Sequence, residues 1–474
     1  MPAKRLVILC DGTWQNSLSD AGQNPSNITR MARAIKNRDD RHRTAIPQIV
    51  YYHPGLGTDG GPFKSFRNLL AGMFGWGIVE HIKAVYSFIS YNFEVGDELF
   101  FFGYSRGAYL VRAISGFIAD FGILKKPGMS EFVDIFKSYT GGPFSENMDL
   151  QERQSSLIAS NTLIAPSHVT VKVIGCFDTV GALGIPRFVP FQRNKYEFLN
   201  LSLSNNVEHA FHALALDENR KPFKPTLWFF TNKHGSDKFK QVWFNGSHGN
   251  IGGGDMQYIV KGSNFLTSRD DNPNVLSDGT LIWMVSECAN LLSFDTDYLH
   301  INIMAGHTQR DGQMNYAGEE SREAIQPVPV ERSTGRQPIW YLGPICDVYG
   351  GLMGKAYLLA GKKTRAVNQY TNHMKTWPDG RRRSVITGGL PRITTLEGDF
   401  MTNESVHASV AFRILRSEKK SSSLAGLELV DSSGPLTGGK ISVLAFNAFE
   451  KRFWNDERQD ILDPTSGPEA IEAV

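Results

Sequence analysis

The chain has 474 residues, 41% hydrophobic and 11% aromatic, which suits one large core with elaborations or two to three ordinary domains and excludes a disordered chain. Lys and Arg total 50 against 48 Asp and Glu, a formal charge of +2, so no polyanionic partner is implied and nucleic acid binding finds no support. The four cysteines, Cys10, Cys176, Cys288 and Cys346, are too widely spaced to suggest a disulfide framework or a zinc site.

Met-Pro-Ala-Lys-Arg runs straight into Leu6-Val7-Ile8-Leu9, too short an apolar run for a signal peptide. This start predicts a cytosolic chain, with export by an unconventional route left open. No stretch approaches the roughly 20 apolar residues of a membrane span, which predicts a soluble chain with no transmembrane segment and leaves peripheral lipid contact open.

Leu6 to Cys10 reads as a buried strand. Ile28, Met31, Ala32 and Ile35 then share one face of a helix over Ser26 to Lys36, with Ser26 or Asn27 as its cap. Gln48 to Tyr52 is the next strand, and Ile78, Val79, Ile82, Val85, Tyr86 and Ile89 recur at helical spacing. A turn at Glu94 to Asp97 leads into the strand Glu98 to Phe102, which ends at Gly103-Tyr104-Ser105-Arg106-Gly107. A helix follows at once, striped by Ala108, Val111, Ile114, Phe117 and Ile118, with Gly122 as its C-terminal cap.

Val169 to Phe177 is a further strand, ending at Asp178; Val207 to Arg220 reads as a helix; Thr226 to Phe230 and Lys240 to Phe244 read as strands, the last leading to His248. Strands alternating with crossover helices predict an α/β fold: an α/β-hydrolase-like, mostly parallel sheet flanked by helices, extending to about residue 245. The expected division is a core over 1–255 carrying the chemistry, and insertions or a cap, with C-terminal elements, packing on that core over 256–474. Within the latter, Leu276 to Leu292 and Leu352 to Tyr370 look helical, Ser417 to Gly439 reads as a mobile loop, and Ile441 to Trp454 could redock on the core.

G-x-S-x-G between a strand and a helix is the context of a nucleophile elbow, where the turn is sharp enough that side chains beside the serine would clash with strand and helix. Gly103 and Gly107 meet that need and make Ser105 the candidate nucleophile, while the backbone N–H of Arg106, at the positive end of the helix, is positioned to receive an oxyanion. The fold orders such triads serine, acid, histidine. Asp178, at a strand end, is the candidate acid; Asp217 and Glu218 fit less well because they fall in the expected helix. His248 opens a glycine-rich loop after a strand and is the candidate base, with His407 as main rival, although no clear strand precedes the latter. His53, His209, His212 and His307 are weaker rivals. The second oxyanion donor would come from the loop after the first strand, through the N–H of Gly12 or Thr13. No cofactor or metal is called for.

Two other motifs fail. Asp11-Gly12-Thr13 suggests a haloacid-dehalogenase phosphatase, but the position two residues before Asp11, where the aspartyl nucleophile belongs, is Leu9. Gly55-Leu56-Gly57-Thr58-Asp59-Gly60 fits G-x-G-x-x-G, but no helix pattern begins there and no acidic partner is placed for a ribose.

Leu9-Cys10-Asp11-Gly12-Thr13-Trp14, Tyr52 to Thr58, Phe102 to Tyr109, Asp178 to Gly184 and His209 to Trp228, taken in order, resemble the uncharacterised α/β-hydrolase-domain family of bacteria and fungi that includes type VI secretion phospholipase effectors. The resemblance covers about residues 5 to 255. It implies the same triad, Ser105, Asp178 and His248, and an ester or lipid substrate. Family members often carry an acidic residue two positions after the histidine, where this chain has Asn250. The expected activity is a lipase- or phospholipase-like esterase working through an acyl-enzyme, with Phe66, Phe74, Trp76, Phe188 and Phe191 lining an acyl site or packing in the core. The alternative is an inactive hydrolase fold serving as a binding or regulatory protein. Oligomeric state is not readable.

Overall fold

The structure is a computed structural model that describes residues 2–12, 25–55, 78–141, 144–180, 203–228, 230–231, 238–254, 275–300, 303, 345, 361–365, 367, 371–376, 382–387, 400–401, 404–417, 421–425, 427–430 and 440–450. Among the described residues, ten strands form one sheet: β1 (Arg5–Cys10), β2 (Arg38–Asp39), β3 (Ile46–His53), β4 (Glu98–Tyr104), β5 (Thr170–Phe177), β6 (Val207–Ala215), β7 (Phe239–Phe244), β8 (Glu404–His407), β9 (Glu428–Val430) and β10 (Lys440–Leu444). They lie in the order β9-β10-β8-β7-β6-β5-β4-β1-β3-β2. Every neighbouring pair is parallel except β2 with β3.

A parallel sheet is covered on both faces, so its inner strands read as unbroken apolar runs whose side chains alternate between two cores. Leu6, Ile8, Cys10, Leu99 and Phe101 pack with α2 (Ile78–Asn92) and α3 (Arg106–Asp120), and outside these with α4 (Phe132–Tyr139) and α5 (Met148–Ala159). Val7, Leu9, Phe100, Phe102 and Val173 pack on the opposite face with α1 (Asn27–Ala34) and α7 (Val275–Cys288). The architecture is α/β, α/β-hydrolase-like. The chain moves from β1 to β3 on one side and returns to β4 on the other, so β1 and β4 flank a topological switch point, where crevices open at the carboxyl ends of parallel strands.

Ser26 is the residue that caps α1: its Oγ accepts from the Thr29 amide at 3.1 Å. The adjacent Asn27 turns its amide to the carbonyls of Ile251 and Ser277, tying α1 to distant segments. Gly122 follows α3 at φ +106°, its N–H on the Ile118 carbonyl.

Several expectations are corrected. The helix over Val207 to Arg220 is the strand β6: it is sandwiched between β5 and β7, where Ala210, Phe211, Ala213, Leu214 and Ala215 are all buried, and tertiary context overrides an alanine-rich helical pattern. The strand over Thr226 to Phe230 shrinks to Phe230–Thr231, which pairs with Phe400–Met401 outside the main sheet. The sheet does not stop near residue 245, because β8, β10 and β9 extend it beyond β7. Part of the supposed loop Ser417 to Gly439 is ordered, as a short 3-10 turn (Ser422–Leu424) and β9. Ile441 does dock, fully buried in β10. Most of Leu352 to Tyr370 lies outside the described residues, but 361–365 within it are not helical. No helix among the described residues is long and apolar enough to cross a membrane.

Candidate active site

β4 delivers Ser105 to the turn before α3, at φ 57° and ψ −118°, a conformation L-residues seldom adopt. The flanking glycines are demanded by space. A Cβ on Gly103 would sit 2.5 Å from the Ala108 Cα, and one on Gly107 only 2.2 Å from the Cys10 carbonyl oxygen. The Ser105 amide donates to the Phe177 carbonyl at 3.0 Å, locking the turn onto β5.

Asp178 directly follows β5, also at positive φ (44°), its N–H on the Ala213 carbonyl at 2.8 Å. His248 follows β7 as the first residue of α6 (His248–Gly252). Ser247 and Asn250 form a capping box there: the Asn250 side-chain oxygen accepts from the Ser247 N–H at 3.0 Å. Asn250 thus supplies a capping acceptor at the start of α6.

These three residues meet. His248 Nδ1 lies 2.6 Å from Asp178 Oδ2, and His248 Nε2 lies 2.8 Å from Ser105 Oγ. An ionised carboxylate only accepts, so Nδ1 carries the proton and the Nε2 lone pair accepts from the serine hydroxyl. All three side chains are buried. Burial would raise the Asp178 pKa, but the Arg365 charge and hydrogen bonds from His248 and Arg365 overcome it and hold the carboxyl well below its ordinary range. The His248 pKa is lowered by burial, against the pull of Asp178, which keeps the imidazole neutral near pH 7.

The histidine is gripped from several sides. Its N–H donates to Glu218 at 3.2 Å, its carbonyl accepts from the Tyr104 hydroxyl at 3.3 Å, and the Tyr104 and Phe223 rings lie 4.9 and 5.0 Å from the imidazole. Glu218 is itself paired with Arg220 at 2.7 Å. Tyr104 fits only because Gly12 and Gly252 lack side chains: a Cβ on either would come within 2.4 and 2.0 Å of its ring.

The expected oxyanion donors fare unequally. Arg106 opens α3, which places its N–H at the positive end of that helix. The Gly12 N–H donates to Asp11 Oδ1 at 2.7 Å, which removes it as a donor in this conformation. Thr13 lies outside the described residues, as do Phe66, Phe74, Trp76, Phe188, Phe191, His307 and Cys346. Asp11 is a buried hub: its Oδ2 accepts from Ser26 at 2.5 Å, Tyr52 at 2.8 Å and Thr29 at 3.0 Å. Burial raises its pKa against these four hydrogen bonds.

The rival histidines are engaged elsewhere. His407 does end a strand, contrary to expectation, but it is buried between Ser409 Oγ (2.9 Å) and Glu450 Oε1 (3.1 Å) and stacks on Phe244. His212 accepts from the Thr179 N–H at 3.1 Å, and burial, aided by the Arg112 charge, pushes its pKa down to about 3. His209 meets the Lys172 carbonyl and His53 pairs with His81. Among the described residues, Cys10, Cys176 and Cys288 are free and buried, and no cluster could hold a metal ion. Glu218 lies just past β6, in the stretch whose pattern suggests a helix, and Arg365 carries no local signal: it reaches Asp178 across 187 residues.

Residues 4–287 match the family described as the catalytic domain of the type VI secretion system phospholipase effector Tle1-like proteins. The chain belongs to this family. The match bears out the resemblance carried by the motifs and runs past residue 255. An uncharacterized protein of Saccharomyces cerevisiae is 31% identical over 235 residues, 47% of this chain and 32% of that protein, so the chain spans about a third of the length of this curated relative. Two solved structures are similar. One is the Tle1 effector bound to the VgrG spike of the type 6 secretion system: 19% identity, 56% of this chain, 53% of that chain, TM-score 0.31. The other is an uncharacterized protein from Pseudomonas aeruginosa: 16% identity, 60% of this chain, 45% of that chain, TM-score 0.34.

Proposed function

We propose that the protein is a serine hydrolase of carboxylic esters, of lipase or phospholipase type, using Ser105, His248 and Asp178 through an acyl-enzyme. The observation that carries this reading is the unbroken hydrogen-bond chain from Ser105 Oγ through the His248 imidazole to Asp178, at 2.8 and 2.6 Å. His248 Nε2 takes the serine proton as Oγ attacks the ester carbonyl, and Asp178 stabilises the imidazolium that forms. The tetrahedral oxyanion is received by the Arg106 N–H at the positive end of α3, with Thr13 as the further donor. The imidazolium then protonates the leaving alcohol, and water, activated by the same nitrogen, releases the acid. Phospholipid is the proposed ester because the family is described as a phospholipase effector domain.

A fluorophosphonate probe tests the chemistry. We expect the wild type to be labelled and Ser105→Ala not, with ester hydrolysis falling on the order of 10⁴-fold or more in the variant. A folded wild type that neither labels nor hydrolyses short or long acyl esters would sink the proposal. Comparing phospholipid vesicles with a short-chain ester then separates phospholipase from simple esterase.

A further inference from the structure

Arg365 is buried, and both of its terminal nitrogens grip Asp178, at 2.5 Å to Oδ1 and 2.9 Å to Oδ2. The same nitrogens donate to the Ala215 and Phe223 carbonyls at 2.9 and 2.6 Å, so the guanidinium is fixed between β6 and the segment that carries the Phe223 ring against His248. Gly361 and Lys363 hold this stretch to the rest of the molecule, the Gly361 carbonyl accepting from Lys221 and the Lys363 N–H reaching the Asn219 carbonyl. Arg365 lies well beyond residue 287, where the family match ends.

We propose that Arg365 is a positioning residue for the Ser105–His248–Asp178 chain, holding Asp178 bidentately and offsetting its charge so that His248 rests as a neutral base. This rests on the catalytic reading above. The physical reason is charge balance in a buried site. A lone carboxylate 2.6 Å from an imidazole, with water excluded, draws a proton onto the ring, and a protonated His248 cannot accept from serine. With Arg365 bound on its far side, Asp178 belongs to a neutral pair and still orients Nδ1–H. The other charges facing His248 form a second neutral pair, Glu218 with Arg220. Tyr104 and His212, also nearby, stay neutral: burial raises the tyrosine hydroxyl pKa and lowers the histidine pKa to about 3. Arg365 is therefore the cation that answers Asp178 directly, and its charge is the largest influence lowering the Asp178 pKa.

The test follows the His248 titration by NMR in the full chain labelled with 13Cε1-histidine, with the resonance assigned by its loss in His248→Gln. In Arg365→Gln the His248 midpoint should rise by about one pH unit, and the acid limb of kcat/KM should move up with it. Arg365→Lys, which keeps the charge and loses the bidentate grip, should leave the midpoint within a few tenths of a unit while kcat falls about tenfold and KM holds. A folded Arg365→Gln protein with an unmoved midpoint overturns the proposal. Should that variant not fold, Arg365→Lys decides: a kcat equal to wild type overturns it, and a lowered kcat with an unmoved midpoint supports it. The titration is read without turnover. A midpoint that moves in a protein with no esterase activity would remove the catalytic reading yet keep the charge coupling, whereas an unmoved midpoint in an active enzyme removes only the role of Arg365.

Discussion

The serine side and the acid side of the site are built over very different chain distances. Ser105 owes its geometry to a strand, a turn and a helix that are contiguous in sequence, and to two glycines whose missing side chains let α3 pack against β4 and the end of β1. Asp178 is surrounded instead by Ala215, His248 and Arg365, which lie 37, 70 and 187 residues away. Strain can be set locally, because it arises from the backbone's own neighbours. A buried charge has to be answered by an opposite charge from wherever the chain can supply one.

The sharpest break in this contrast is at the histidine that joins the two sides. We expect His248→Gln to lower kcat/KM on the order of 10⁴-fold. His407→Gln, at the rival position, should leave activity within about threefold, because Ser409 and Glu450 already occupy both of its ring nitrogens. Steady-state hydrolysis decides between them, and a collapse of activity in His407→Gln alone would overturn the assignment of the base.

On the serine side, Gly107→Ala would drive a Cβ to within 2.2 Å of the Cys10 carbonyl oxygen, a backbone atom that cannot swing away. The expected cost is about 2–4 kcal/mol of folding stability, measured by urea denaturation, with probe labelling of Ser105 lost even where the protein stays folded. Unchanged stability would mean that the elbow is not sterically set.

The long-range side can also be probed through pH. His212, packed under the Asp178 turn, has a folded pKa of about 3 against an unfolded value of about 6.5. The unfolded chain therefore binds the extra proton first as pH falls. Stability from keeping His212 neutral is complete above about pH 6.5 and is lost progressively toward pH 3, at up to about 1.4 kcal/mol per pH unit. His212→Gln should flatten the fall in urea midpoint over that window, and an equally steep fall in the variant would show that other groups carry it.

Much of the fold was legible because parallel strands buried on both faces are apolar without interruption and α-helices bury one stripe; β1, β4, β5 and the helices α1 to α3 follow directly. β6 was not, since an alanine-rich strand in the middle of a sheet has the same composition as a helix and only its neighbours distinguish the two. The short strands β8, β9 and β10 carry too few residues for a periodicity, and they become strands by adding to the open edge at β7. In the candidate site, the proposed residues Ser105, Asp178 and His248 could be named from strand ends and glycines, whereas the engagement of the Gly12 amide by Asp11 could not, since nothing local says which acceptor an amide will find.

Residues near one another in the chain thus decide where the backbone turns sharply and which side chains stand at the carboxyl ends of the strands, because sterics and hydrophobic periodicity act over a few residues. Which of those side chains meet, and how their charges are balanced, depends on contacts such as Arg365 with Asp178, made only when segments 187 residues apart are packed against the same sheet. Desolvation in the packed core turns those contacts from weak surface pairings into requirements of the folded state.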